Sequence, residues 1–454
     1  MVMPTIKIKP VTRIESHGSL TIKVDEQGTP VQAFFSTPVL RGFEAFLQGT
    51  PIERVPWLAS RICGVCPVPH SVNASRTLEK AIKMEITDTA KILREMLVLS
   101  QLIDSHALSF VMLSLPDLFP AENIHSINDV RQHSPDLFAK GLRLHSLGRQ
   151  LTSLLGGRNV HPTNVRVGGM STNPLLTTSL ELPAMIKETI KITQEFLQYC
   201  KEWFAQKTDL IKSLGAISSY YMALSDEGSV SFVNGEIKVT GPNGSNYTIF
   251  QPDNYLSVLS ETTQSHTYMK LPFLKELGSE EGILRVNCLA RANVNEQYGT
   301  PIANQELREL RASWGKPLEY SLLSHWARLI EIIYACERLE ELLVNSASQN
   351  DKTAVTADII DGEAVNCLEA PRGTLFHHYA LQGGCVTHAN LLVATQNNGL
   401  AVNKALSETV KASKIENIGQ EELVHRCEMV IRAYDPCISC ATHVIQIKKM
   451  EETE

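Results

Sequence analysis

Arg61-Ile62-Cys63-Gly64-Val65-Cys66-Pro67-Val68-Pro69-His70 is the stretch around which the rest of this sequence arranges itself. A two-residue gap lets both thiolates of a cysteine pair face one ion from a tight turn. Gly64 and the prolines make a constrained loop in which backbone amides approach the sulfurs. A second pair stands far along the chain, in Asp435-Pro436-Cys437-Ile438-Ser439-Cys440-Ala441-Thr442-His443, and each pair is trailed by a histidine within four positions. A lone Cys-x-x-Cys is weak evidence. Two of them, with Cys66 and Cys437 separated by 371 positions, are a much stronger signal. Two blander readings stand beside a catalytic metal site. A structural zinc site brings its pairs together over short spans, and a redox dithiol expects one pair near a β-α-β unit. Four soft thiolates favour nickel, iron or zinc over hard cations. Residue types alone stop at a buried tetrathiolate metal site.

Outward from these pairs, hydrophobic periodicity sets the expected architecture. Residues 5–36 alternate apolar and polar side chains around a turn at Glu26-Gln27-Gly28, which predicts an antiparallel hairpin. The period turns helical over 71–115, 181–214, 305–346 and 403–432. It returns to strands over 229–250, a β insertion, and over 374–395 around Gln382-Gly383-Gly384. The expected fold class is mainly α, a long-helix core with small β appendages, in a single domain over 1–443.

Composition narrows the function. The 454 residues carry a formal net charge of -7, which argues against nucleic acid or an anionic membrane as the main partner. Residues 1–10 alternate Lys with Ile and lack the apolar core of a signal peptide. The most apolar stretch, Met96 to Phe119, carries Asp104, His106 and Asp117 and reads as a buried or interfacial helix, so no direct transmembrane segment and a cytoplasmic location are expected. Ten cysteines are too sparse for a disulfide-built scaffold, and the six unpaired ones read as core residues.

The two cysteine segments resemble the signatures of the large subunit of nickel–iron hydrogenases. The resemblance continues through Thr12-Arg13-Ile14-Glu15, Arg41-Gly42-Phe43-Glu44, His161-Pro162 to Gly168-Gly169, Leu289-Ala290-Arg291 and Glu369-Ala370-Pro371-Arg372-Gly373, in the family's order and across nearly the whole chain. It implies the large-subunit fold and a Ni–Fe centre whose iron carries cyanide and carbon monoxide. Cys63 and Cys437 match terminal nickel ligands; Cys66 and Cys440 match the bridging ones. The implied reaction is reversible heterolytic splitting of H2. Glu15 matches the proton-transfer carboxylate, although the family's Gly after it is replaced by Ser16. Arg372 matches the arginine above the metals, and Thr395 the hydroxyl that donates to a cyanide. His70 and Asp435 match residues that steady the cysteine loops. Asp104 lies near a position that carries an active-site acid in some relatives.

Glu44, His443 and the Leu391 carbonyl match ligands of a divalent ion, usually Mg2+. Residues 444–454 match an extension removed by a maturation endopeptidase once nickel is inserted. No cysteine set for iron–sulfur clusters remains, so the resemblance implies an iron–sulfur small subunit, with further electron-transfer subunits beyond it. They would lead to NAD(P), a deazaflavin or a heterodisulfide reductase. The alternatives on the same residues are a hydrogen-sensing homologue and a zinc-stabilised structural subunit.

Overall fold

The computed structural model describes residues 5–40, 42–119, 124–178, 180–346 and 352–442. Three antiparallel strands come first: β1 (Thr5–Ile8), β2 (Ser19–Val24) and β3 (Pro30–Ser36), with β2 central. The expected hairpin is therefore the outer two-thirds of a sheet. Asp25 closes the β2–β3 turn by accepting the amides of Gln27 and Thr29. β1 ends before Pro10, whose nitrogen has no proton to give a ladder.

The helical stretch that follows is interrupted once. Helix α1 (Pro67–Ala81) starts on a proline, stops near Lys83 in the left-handed region, and gives way to α2 (Asp88–Ala107). Thr87 caps α2 by accepting the Ala90 amide at 3.2 Å. Together with the wide and tight turns that continue to Leu118, α2 is long and apolar enough to cross a membrane, yet 83% of its most apolar window is buried inside the protein. It is a core helix. Around it pack α3 (Pro135–Gly156) and α7 (Ser324–Ser346), with α4 (Leu182–Gln206) against α7. Gly148 permits the α2–α3 contact, because a β-carbon there would lie 2.6 Å from the Asp104 backbone.

Between these helices lies a five-stranded sheet of β4 (Tyr220–Asp226), β5 (Ser229–Val230), β6 (Glu236–Thr240), β7 (Asn246–Phe250) and β8 (Leu284–Arg285). The insertion expected at 229–250 thus begins at Tyr220. Strand β4 is buried on both faces, so it lacks the alternation by which strands are recognised. Short helices α5 (Cys288–Val294) and α6 (Pro301–Trp314) follow it.

The strands expected over 374–395 are two of three. β9 (Gly362–Ala370), β10 (Gly373–Gln382) and β11 (Cys385–Leu392) form an antiparallel meander, and Ala370 faces Gly373 across a two-residue turn of Pro371 and Arg372. Cys385, expected in the core, opens β11 beside that sheet's other turn and is only half-buried. The described chain finishes with α8 (Gly399–Glu416), which packs on β3, and α9 (Gln420–Tyr434) against α8. The first cysteine loop therefore sits at the start of α1 and the second directly after α9. All four paired cysteines belong to the main apolar core.

Candidate metal centre

Cys63 and Cys66 flank the turn that launches α1, and Pro67 at its first position cannot extend the helix backwards into the loop. The Cys63 sulfur accepts the amides of Val65 and Cys66, both at 3.2 Å. Gln101 of α2 fastens the loop from below: its amide group donates to the Val65 carbonyl at 3.0 Å and accepts from Val68 N–H at 3.2 Å.

The second loop begins where Asp435 ends α9 in the left-handed region (φ 52°). Cys437 N–H donates to Thr395 Oγ1 at 2.9 Å. Backbone pairing of Glu15 with Cys437 lays the N-terminal segment alongside. Ser16 has φ 62°, a conformation that suits the glycine the family carries there.

These two loops bring four sulfurs within 4.8 Å of one another, all buried. Cys63 to Cys437 and Cys66 to Cys440 are each 3.3 Å, Cys437 to Cys440 is 2.9 Å, and Cys66 to Cys437 is 4.0 Å. Burial works to raise the Cys63 thiol, yet hydrogen bonds from Cys437, Cys440 and Cys66 and the nearby Arg372 charge hold it well below the ordinary thiol range. Burial drives Cys437 and Cys440 well above it. A metal held by all four sulfurs would displace the protons that burial keeps on Cys437 and Cys440.

Above the sulfurs lies a small hollow walled by Ala370, Pro371, Leu375, Val393 and Ala394, with Arg372 and Thr395 presenting polar groups. Arg372 sits at the β9–β10 turn. Its guanidinium donates to the Asp435 carbonyl at 2.8 Å, to Asp435 Oδ1 at 3.0 Å and to Ser105 Oγ at 3.1 Å. Burial opposes the Arg372 charge, and Asp435 with the neighbouring sulfurs of Cys437, Cys66 and Cys63 more than restores it. Thr395 Oγ1 accepts from Cys437, which leaves its proton to donate. A dense thiolate set under an apolar hollow with one cation and one hydroxyl fits a dinuclear centre carrying small ligands.

A buried ionic cluster holds the turn that carries Arg372. Arg291 of α5 donates to both oxygens of Glu331 at 2.7 Å, to Glu369 at 2.7 Å, and to the carbonyls of Ala370 and Pro371 at 3.2 and 3.0 Å. His106 of α2 meets Glu331 at 2.7 Å. Gly373 closes the turn with φ 126°, against the Val286 carbonyl, where no β-carbon fits.

The remaining expected residues divide. Glu15 accepts the Ser439 amide at 3.0 Å and the Ser439 hydroxyl at 2.6 Å, and that hydroxyl lies 3.6 Å from the Cys437 sulfur. His70 Nε2 lies 3.4 Å from the Cys440 sulfur. Glu44 meets Leu391, though through the Leu391 amide, which donates to Glu44 at 2.8 Å, rather than through the carbonyl expected to face a metal. His443 and residues 444–454 lie outside the described residues. Asp104 does not reach the site: it pairs with His145 at 3.1 Å, and its neighbour Ser105 is the residue that touches Arg372.

Ser105, Ser439, His377 and Tyr379 are the site residues that sequence reading misses. Ser439 stands inside the second cysteine segment. His377 and Tyr379 lie two apart in a strand and so share a face, a period-two signal that could have found them.

Fold and site together define a buried tetrathiolate metal centre built from two distant loops, and comparison with known proteins supplies its class. The family described as "Nickel-dependent hydrogenase" matches residues 41–133 and 237–443, and a second family, "HoxL-like", matches 5–38. The chain is similar to a subunit of the vhc F420-non-reducing hydrogenase of Methanococcus voltae, 35% identical over 98% of this chain and 96% of that protein. It is similar to the beta subunit of the NAD-reducing hydrogenase HoxS of Cupriavidus necator, 31% identical over 96% of this chain and 94% of that protein. Among solved structures, an NAD+-reducing [NiFe]-hydrogenase in the H2-reduced state superposes with TM-score 0.92 at 28% identity, covering 98% of this chain and 100% of that one. This chain belongs to the nickel-dependent hydrogenase family, and within it to the large subunits. It is an oxidoreductase acting on hydrogen, with a Ni–Fe centre.

Proposed function

We propose that Cys63 and Cys437 hold nickel terminally, that Cys66 and Cys440 bridge nickel and iron, and that the iron carries cyanide and carbon monoxide in the hollow beneath Arg372 and Thr395. The observation that carries this reading is the convergence of four buried sulfurs within 4.8 Å from two distant loops. When bound, the centre supplies the redox-active Lewis acid at which H2 is polarised and split heterolytically.

This chain's own residues then handle the proton. A proton on the Cys437 sulfur passes to Glu15 through the Ser439 hydroxyl, which spans the two at 3.6 and 2.6 Å. Glu15 is half-buried, and the exposed His17 follows it, so the route leads outward. Arg372 stays charged and fixed by three hydrogen bonds, ready to donate to ligands in the hollow without reorganising.

Glu44 and Leu391, with His443, form the proposed Mg2+ site, and residues 444–454 are the extension removed by a maturation endopeptidase. Electrons leave through an iron–sulfur small subunit, consistent with relatives named as parts of larger hydrogenases. The names "F420-non-reducing" and "NAD-reducing" speak against a deazaflavin as acceptor, and the second supports NAD(P); a heterodisulfide reductase stays the alternative. Metal analysis of the purified complex tests the reading: nickel in equal amount to this subunit, with iron in excess because the partner's clusters add to it, is expected, and zinc without nickel would overturn it.

A further inference from the structure

The four sulfurs differ in what donates to them. Cys63 receives two amides of its own loop, whereas Cys440 faces an imidazole that is the first link of a buried chain. His70 Nδ1 lies 3.2 Å from His377 Nε2, and His377 Nδ1 lies 2.8 Å from the Tyr379 hydroxyl. His70 is 2% exposed, and His377 and Tyr379 are fully buried. The two outer members come from one face of β10, the inner one from the first turn of α1.

Chemistry fixes the direction of this chain. A metal-bound thiolate only accepts, so His70 must carry its proton on Nε2 to satisfy Cys440. A neutral His70 then offers a lone pair on Nδ1, which calls for a proton on His377 Nε2. That tautomer of His377 offers a lone pair on Nδ1, and the Tyr379 hydroxyl supplies the donor. Burial and the nearby Glu44 charge hold the Tyr379 phenol far above its ordinary range, so it stays a neutral donor. All three links are satisfied with no buried charge, and each donor points toward the sulfur.

We propose that His377 and Tyr379 are positioning residues that lock His70 in the tautomer donating to Cys440, and through it set the electron density of that sulfur. This rests on Cys440 being a metal-bound thiolate, as assigned above. A hydrogen bond to a thiolate ligand draws charge from the metals and raises their reduction potential. The hydrogen-bond chain is separate from the proposed proton route, which runs from Cys437 through Ser439 to Glu15.

The test uses the assembled holoenzyme with Tyr379→Phe, His377→Leu and His377→Gln. The readouts are nickel and iron content, the infrared bands of the iron-bound diatomic ligands, and the midpoint potential of the nickel signal. Tyr379→Phe and His377→Leu are expected to keep both metals while moving the bands to lower frequency and the potential negative. His377→Gln, whose amide can still donate to His70, should return both toward wild type. Full metal content with unmoved bands and potential in Tyr379→Phe would overturn the proposal. Loss of metal from Tyr379→Phe would also overturn it, by showing a purely structural role. Wild-type enzyme lacking nickel would instead sink the assignment of Cys440, a result that metal content alone reports.

Discussion

The two cysteine loops carry the same spacing but are built in opposite ways. The first is nearly self-sufficient: its own amides bond to Cys63, a proline starts the helix after it, and Gln101 ties it to the neighbouring helix. The second follows a helix that ends in a left-handed aspartate, and it is held from a distance. Arg372, Thr395 and Glu15 reach it from 63, 42 and 424 positions away. Rigid anchoring belongs to the first loop, and the groups proposed to handle protons and small ligands gather on the second. A site that must both hold metals and exchange protons separates the two duties.

That contrast can be broken at its chemical end. Glu15→Gln keeps the size of the side chain but cannot take up a proton, and it is expected to lower turnover about 10²- to 10⁴-fold with nickel still bound. Hydrogen uptake beside metal analysis checks this, and near-normal uptake would remove Glu15 from the route. Ser439→Ala removes the hydroxyl between Cys437 and Glu15. A hydrogen bond to a charged group is worth about 1.5–3 kcal/mol, so a roughly 10- to 100-fold fall in turnover is expected, again without metal loss.

Stability probes sharpen the other half of the comparison. Glu331→Gln leaves Arg291 without one of its two buried carboxylates and slackens the turn that carries Arg372. Breaking such a pair costs about 3–5 kcal/mol, measurable by denaturant unfolding. Burial works to raise the Glu331 carboxyl, but Arg291 and His106 hold it at about 2, against an ordinary value of 4.5. Its contribution is therefore fully present above pH 4.5 and is lost as pH falls toward 2, so wild type and variant should converge in stability across that interval. Gln101→Ala should have the smallest effect: about 1–2 kcal/mol of stability, with turnover within a few-fold of wild type. A large loss of turnover there would show the first loop to be more than an anchor.

Legibility in the sequence follows the same division. The cysteine pairs, the long helices and the resemblance segments are open to reading because spacing, period and motif are local properties. Strand β4 is hidden because burial on both faces removes its alternation, and α3, though Leu144, Leu147, Leu151 and Leu155 carry the helical spacing, is weakened as a signal by Gly141 and Gly148 in its interior. Ser105 escapes notice because a one-residue difference on a helix turns a side chain by about 100 degrees: Asp104 faces His145 while Ser105 faces Arg372. The role of Leu289-Ala290-Arg291 is likewise invisible, since Arg291 acts on a turn 79 and 80 positions away.

The pairing of Glu15 with Cys437 has a consequence for biosynthesis. A ribosome emits Glu15 and both early cysteines long before it reaches the strand and helices that flank the late pair. The half-built polypeptide therefore carries two thiols and a carboxylate with nothing to close over them. The four sulfurs come together only once the loop carrying Cys437 and Cys440 has joined the one carrying Cys63 and Cys66.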